Sequence, residues 1–401
     1  MRWLAIVGIG EDGVEGIPAA ARLLIESAAL VVGGQRHLSL AASAIRGERL
    51  AWPSPLSEAF PAILARRGQA VTVLASGDPT CFGIATTLQT IVPAAETICV
   101  PAPSAFALAR ARLGWAAQDS ATLSFCGRPI EAVLPLLQPG ARILALSADA
   151  STPAKVAALL RHYGFGPTVL HVLEALGGAR ERMQATTAAQ GVAEGIDPLN
   201  LLALDVRAAP DARIMPLSAG LPDAFFEQDG QLTKSEVRAA TLAALAPCAG
   251  ELLWDIGAGS GSVGIEWMLR HPANRAIAIE ARADRAARVA RNALALGVPG
   301  LHVVAGAAPA ALASLPAPDA IFVGGGAQHD GVLPTAWANL RAGGRIVANA
   351  VTIETESLLF AAQRDHGGTL TRLSIDRLDI VGGMRAFRPA MTVTQWAARK
   401  P

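Results

Sequence analysis

Short apolar runs alternate with longer alanine- and leucine-rich segments from one end of the chain to the other. A continuous apolar run suits a strand buried on both faces. A longer amphipathic segment between two such runs is the helix that returns the chain to a parallel sheet. In the first half, strands are expected at 2–7, 70–74, 98–100, 141–146 and 199–206, and a helix at 17–28 with Pro18 in its first turn. In the second half, strands are expected at 252–256, 276–279, 301–304, 319–323 and 344–351. The fold class is therefore α/β with mostly parallel sheets.

The alternation breaks once, at Ala208-Ala209-Pro210-Asp211 and Pro216-Leu217-Ser218-Ala219-Gly220. Such breaker-rich residues mark a boundary. The expected division is a domain at 1–208, a linker at 209–218 and a domain at 219–401. A length of 401 residues fits two domains of ordinary size. The glycine motifs of the two halves differ in layout, so the halves are not repeats of one unit.

One helix is legible in detail. Asp284, Arg285, Arg288, Arg291 and Asn292 form one stripe, and Ala286, Val289, Ala290, Ala293 and Leu296 lie mostly elsewhere. The stripe reads as a solvated face with an Asp284–Arg288 pair, and Gly297 and Pro299 end the helix.

Composition narrows the function. Hydrophobic residues make up 52% of the chain, yet no apolar run reaches the ~18 residues of a membrane span. The opening run meets Gly8, Gly10, Glu11 and Asp12 too soon for a secretion signal, so a cytoplasmic protein is expected. A net charge of +1 provides no basic field for nucleic acid. Lys155, Lys234 and Lys400 are the only lysines, and the other cations are arginines, which suit carboxylate ligands. Cys81, Cys99, Cys126 and Cys248 form no C-x-x-C pair and are expected as small buried hydrophobes. The seven histidines show no metal-ligand spacing, and no metal is expected.

The chemistry centres on Leu252-Leu253-Trp254-Asp255-Ile256-Gly257-Ala258-Gly259-Ser260-Gly261, which reads as strand, acid, glycine turn and helix start. Glycines let the backbone turn sharply and approach a ligand, and the helix from Ser262 presents free N–H groups. Glu280 closes the next strand, where a carboxylate can accept hydrogen bonds from a ribose diol. Gly259-Ser260-Gly261-Ser262-Val263-Gly264 also fits the G-x-G-x-x-G dinucleotide pattern. Asp255 favours S-adenosylmethionine (SAM), because a carboxylate suits an ammonium and a sulfonium and repels a diphosphate; an NAD-linked oxidoreductase is the alternative. Gly306-Ala307-Ala308-Pro309 follows a strand where an adenine would sit, and Gly324-Gly325-Gly326 ends another at the same edge. In the first half, Val7-Gly8-Ile9-Gly10, Ser76-Gly77-Asp78-Pro79 and Pro103-Ser104-Ala105 are three successive turns at strand ends.

Those three turns resemble the tetrapyrrole methylase family, in which a SAM site lies between two α/β subdomains. Val32-Gly33-Gly34-Gln35-Arg36-His37-Leu38 is similar to the branch that methylates corrinoid precursors at carbon 5. Many relatives have proline where Glu11 stands. The second half resembles class I, Rossmann-like SAM methyltransferases of the decarboxylating precorrin type. Its signature is Leu232-Thr233-Lys234-Ser235-Glu236-Val237-Arg238, after Gly220-Leu221-Pro222-Asp223. It lacks the Asn-Pro-Val common in the family's last strand, having Ala390-Met391-Thr392-Val393-Thr394.

The resemblance implies a double methylase of cobalamin biosynthesis. Its reaction would add methyls at carbons 5 and 15 of a precorrin and remove the carboxyl of the carbon-12 acetate, giving precorrin-8X. It implies one SAM per domain. The contacts would be Gly8, Gly10, Gly77, Asp78, Pro79, Ser104 and Ala105 in the first, and Thr233, Asp255, Gly257, Ala258, Gly259, Ser260, Gly261, Glu280 and Ala307 in the second. Arg36, His37, Lys234 and Arg238 are the candidates for the substrate's carboxylates, against the plainer readings of His37 as a buried, satisfied histidine and Arg238 as a helix-surface ion pair. The expected partner is a small corrinoid precursor, with a homo-oligomer as the assembly and neither nucleic acid nor membrane. A second alternative is that one half only holds or channels the corrinoid.

Overall fold

A computed structural model describes residues 2–401. The chain divides into two compact units, one reaching to Ile130 and continuing over Leu136–Arg213, the other formed by Glu131–Pro135 and Ile214–Pro401.

The first unit holds two five-stranded sheets. The strands of the first are β1 (Leu4–Ile9), β2 (Leu30–Gly33), β3 (Glu48–Ala51), β4 (Val71–Ser76) and β5 (Thr97–Val100). They run parallel in the order β3-β2-β4-β1-β5. β1 is buried at every position, as its unbroken apolar run requires. Its register sets Gly8 against Ala75 and Ile9 against Ser76, so the turns after β1 and β4 leave the sheet side by side.

The second sheet contains β6 (Ser120–Ser124), β7 (Arg142–Leu146), β8 (Val169–Glu174), β9 (Arg182–Thr187) and β10 (Asn200–Asp205). Its order is β6-β7-β10-β8-β9. Only β6–β7 is parallel, whereas the sequence pattern suggested mostly parallel sheets. A buried antiparallel strand such as β10 carries the same apolar run as a parallel one, so the pattern does not distinguish them.

The second unit is built on β11 (Leu252–Ile256), β12 (Arg275–Glu280), β13 (His302–Ala305), β14 (Ala320–Val323), β15 (Arg345–Ala350), β16 (Thr369–Leu373) and β19 (Val393–Arg399). Between β16 and β19 lies a separate hairpin, β17 (Asp376–Val381) with β18 (Met384–Pro389). The order is β13-β12-β11-β14-β15-β19-β16, parallel except at β19. The chain moves outward from β11 one way through β12 and the other way through β14. The crevice at that reversal is where open α/β sheets bind ligands.

The last strands carry no unbroken apolar run: β16, β17 and β18 are largely exposed, and in β19 polar residues interrupt the buried Val393, Trp396 and Ala398. In β19, Thr394 and Gln395 are buried, and the Gln395 amide donates to Thr241 Oγ1 (3.1 Å) and Asn349 Oδ1 (3.0 Å). Hydrogen bonding offsets the cost of burying them.

Two further expectations are corrected. The arginine stripe of the helix Ala283–Ala295 is not a solvated face. Arg285 pairs with Asp229 (3.0 Å), Arg291 with Glu227 (2.6 Å), and the Asn292 amide donates to Ser260 O and Glu227 O (both 2.9 Å). Asp284 pairs with Arg282, not Arg288. The stripe ties the loop at 226–231 to the glycine turn, because acids brought from elsewhere in the chain meet it. The cysteines are not buried either: Cys99, Cys126 and Cys248 are exposed and Cys81 is half-buried, set by loop and edge positions that thiol spacing does not reveal.

Candidate active sites

In the second unit the turn after β11 is held by backbone. Gly257 N–H and Ala258 N–H both donate to Ile279 O (2.9 and 3.2 Å), and Gly261 N–H to Ala258 O (2.8 Å). Gly257 and Gly259 have φ of +70° and +60°. A Cβ on Gly257 would lie 2.5 Å from Gly325 O, and one on Gly259 3.0 Å from Gln231 O. Glycine is therefore demanded twice, by backbone angle and by space. Glu280, 6% exposed, accepts from Gly259 N–H (2.8 Å) through one oxygen and from Arg282 N–H (3.0 Å) through the other. Each oxygen keeps acceptor capacity toward the cavity that it lines.

That cavity is about 660 Å³, within the range of small-molecule sites. Gly257, Ala258, Gly259, Thr233, Lys234 and Ala307 are in its wall. Ser260 and Gly261 are not. Ser260 is buried and donates to Gln231 O (3.0 Å), and Gly261 lies where a Cβ would be 2.7 Å from Val289.

Asp255 lies beneath the turn, not in the cavity wall. It is 1% exposed and accepts one hydrogen bond, from Gly264 N–H (2.9 Å); its other oxygen is buried without a partner. Burial, offset in part by that bond and reinforced by Glu280, raises its pKa to about 7. The folded unit thus holds a proton that an ordinary aspartate releases near 3.8. Folded chains bind more protons between these values, so stability falls as pH rises through that window and levels off above it. Asp255→Asn keeps the acceptor and cannot ionise. It is expected to gain stability over the natural protein as pH climbs from about 4 to 7. Denaturant unfolding at stepped pH checks this, and a difference independent of pH contradicts it.

In the first unit, Gly77 N–H donates to Ile9 O (3.1 Å) and Ala102 N–H to Gly77 O (3.1 Å), joining the three turns. Gly8 is the packing point beneath them, since a Cβ there would lie 1.8 Å from Gly77 O. Gly10, Gly77, Asp78, Ser104 and Ala105 line a cavity of about 300 Å³, shared with Leu146, Leu173 and Leu201 of the second sheet; Gly8 and Pro79 are outside its wall. Asp78 accepts from Thr80 N–H (2.8 Å) and its hydroxyl (2.7 Å), and Ser104 caps the helix Ala105–Leu113 through Ala107 N–H (3.2 Å).

Arg36 and His37 also line this cavity. Arg36 pairs with Glu11 and donates to Ser76 Oγ (2.9 Å); Glu11 also meets Arg180 (3.5 Å). Glu11 is thus the counter-charge of a candidate substrate arginine. His37 shares Ser76 Oγ (2.8 Å), and its pKa falls to about 4 through burial and the neighbouring Arg36. It is neutral near pH 7 and supplies no cation for a carboxylate.

Comparison with known proteins gives the family. Residues 4–190 match the model of tetrapyrrole (corrin/porphyrin) methylases, and residues 224–400 that of a precorrin methyltransferase domain. The precorrin-6Y C(5,15)-methyltransferase (decarboxylating) of Sinorhizobium sp. is 54% identical over 99% of this chain and 96% of its own. The chain belongs to the precorrin-6Y C5,15-methyltransferase (decarboxylating) family. Its member from Mycobacterium tuberculosis (strain CDC 1551 / Oshkosh) is 38% identical over 99% of this chain and 100% of its own. The crystal structure of the C-terminal domain of the Rhodobacter capsulatus enzyme is 48% identical, covering 46% of this chain and all of that one, with a TM-score of 0.44. Membership makes the chain a methyltransferase with SAM as methyl donor, and the oxidoreductase alternative falls.

The placement of Arg238 is corrected as well. Arg238 is fully buried and bound to Glu266, Leu221 O, Thr233 O and Asp223, so it reaches no substrate carboxylate. It is not a helix-surface pair either. Lys234 stays in the cavity wall, 3.7 Å from Asp223. Arg282 and His329 from loops, Arg285 from the helix Ala283–Ala295 and Arg377 from β17 join that wall, and the sequence did not mark them as site residues. Their only signal was a position just past a strand end, and for Arg377, on an unread strand, none.

Proposed function

We propose that the chain methylates precorrin-6Y at carbon 5 from the first unit and at carbon 15 from the second. The second unit also releases the carbon-12 acetate carboxyl as CO2, and the product is precorrin-8X. The observation that carries this reading is two unlike ligand-sized cavities, one in each unit, each built at the carboxyl ends of parallel strands around its own glycine turn. Two cavities support two SAM sites per chain.

The residues present fit such a group. At Gly257 and Gly259 the backbone reaches the cavity where no Cβ has room, and Glu280 offers two acceptor oxygens at the end of β12. Thr233, Ala258 and Ala307 would complete the second site. Gly10, Gly77, Asp78, Ser104 and Ala105 would line the first, with Gly8 and Pro79 shaping it from behind. When bound, SAM supplies an electrophilic methyl on sulfur. The chain's part is to align that methyl with a ring carbon and keep water out. The conjugated macrocycle is itself the nucleophile, and in decarboxylation it accepts the electron pair of the broken carbon–carboxyl bond. A proton then completes the methyl group left at carbon 12. Arg36 and Lys234 would meet peripheral carboxylates.

Cytoplasmic placement and self-association belong to the same proposal. Among the described residues no helix is long and apolar enough to cross a membrane, and no group of His, Cys, Asp and Glu suits a metal. The β17–β18 hairpin, with Leu378, Ile380, Met384 and Phe387 exposed, offers apolar surface to a second copy.

Titration of the full chain with SAM is expected to saturate at two per chain. Mass spectrometry after reaction with precorrin-6Y is expected to show two added methyls and one lost CO2. One SAM and one methyl would confine the chemistry to a single unit.

A further inference from the structure

The opening of the first unit's cavity is marked by a backbone angle that bulky residues avoid. Phe82 has φ of +54°, in the left-handed region, where a Cβ is costly. The surrounding turn holds it there. Cys81 N–H donates to Asp78 O (3.1 Å) and Ala85 N–H to Pro79 O (3.0 Å). At Gly83 a Cβ would lie 2.4 Å from Pro79 O, so the chain closes tightly on Pro79 and turns its corner at Phe82. Glycine would fit this corner without strain, yet the position carries a large apolar ring. Strain held by its surroundings at a cavity mouth points to use of the side chain.

The ring lines the cavity and the residue is still 47% exposed. It meets Phe106 at 5.9 Å between centroids, and the Arg128 guanidinium carbon lies 5.5 Å from its centre. Arg128 is exposed and, among the described residues, has no carboxylate in ion-pair reach. A guanidinium over an aromatic face keeps its in-plane N–H edges free for a carboxylate.

We propose that Phe82 and Arg128 form the platform that binds the corrinoid in the first unit. The Phe82 ring stacks on the conjugated face of the macrocycle, and Arg128 takes one of its peripheral carboxylates. The inference rests on the assignment of carbon-5 methylation to this unit. It adds the substrate-facing residues that the glycine turns leave unspecified.

The test uses the full chain, with precorrin-6Y and SAM, and reads carbon-5 and carbon-15 methylation separately. Phe82→Leu and Arg128→Gln are expected to raise KM for the corrinoid in carbon-5 methylation roughly tenfold. Carbon-15 methylation should stay within about twofold. Arg128→Lys should recover part of the loss. Phe82→Gly separates binding from structure. Glycine suits the positive φ, so a merely structural phenylalanine predicts a stable protein with unchanged KM. The platform predicts a raised KM in a protein that stays folded at the assay temperature. Natural KM in both Phe82→Gly and Arg128→Gln overturns the platform while the carbon-5 assignment stands. A natural chain that yields carbon-15-methylated product alone removes the assignment, and the platform with it.

Discussion

Gly257→Ala is expected to abolish methylation at carbon 15 and CO2 release, by at least about a hundredfold, while carbon-5 methylation of a suitable substrate stays within about twofold. The glycine has φ of +70°, and an added Cβ would lie 2.5 Å from Gly325 O and 2.8 Å from Gly325 Cα. Both obstacles are backbone, so no side chain can swing aside. The left-handed angle alone costs a residue with a Cβ about 1–2 kcal/mol. Relief requires the turn after β11 or the one after β14 to move, and both line the same cavity. A shift of about 1 Å in a site that works by alignment costs on the order of a hundredfold in rate. The first unit has its own glycine turns, so its reaction continues. Mass spectrometry of precorrin-6Y treated with the variant should then find the acetate carboxyl retained and no methyl at carbon 15. Doubly methylated product at the natural rate would show that this turn holds no methyl donor. Asp255→Asn should harm the same reaction far less, since Asp255 lies behind the turn and the neutral side chain preserves its bond to Gly264 N–H.

Arg238→Met is expected to destabilise the second unit by about 3–5 kcal/mol, the cost of breaking a buried ion pair from one side. Arg238 and Glu266 are both 0% exposed, 2.5 Å apart. Glu266 also accepts from Gly220 N–H and Leu221 N–H (both 2.8 Å), and the guanidinium lies 4.8 Å from the centre of the Phe226 ring. Without the arginine, a carboxylate remains in the core with two amide donors and no counter-charge. The carbonyls of Thr233 and Leu221 lose their donor at the entrance to the helix Ser235–Leu245, beside the cavity residues Thr233 and Lys234. Hydrogen exchange read peptide by peptide should show faster opening across 214–401 and unchanged protection in the first unit. A loss below about 1 kcal/mol would mean that the pair is dispensable. Replacing both partners with apolar residues should cost less than replacing the arginine alone.

Much of the molecule was legible because its signals are local. An apolar run such as Leu252–Ile256 can only be buried, and Gly257 and Gly259 can only mark a turn that other residues resist. Glu280, at the end of the neighbouring strand, follows from parallel register, which brings β11 and β12 to one edge. The turns at Gly10, Ser76–Pro79 and Ser104 were legible for the same reason.

What stayed hidden depends on partners distant in the chain. A charged residue reads alike whether it faces solvent, a substrate or a buried acid. Arg238 is a core residue because Glu266 meets it across 28 positions, and Arg285 is a strut because Asp229 lies opposite. Asp255 is an acid at a strand end in sequence; only the packing of the next helix buries it and raises its pKa. The α/β class, the glycine turns of both halves and the family resemblance were determined by the sequence alone, because backbone angle and apolar period act over a few residues. Which charges face a cavity, which hold the core, and that Arg128 lies over the Phe82 ring were decided by the tertiary structure, because electrostatic roles are set by what long-range packing places beside each group.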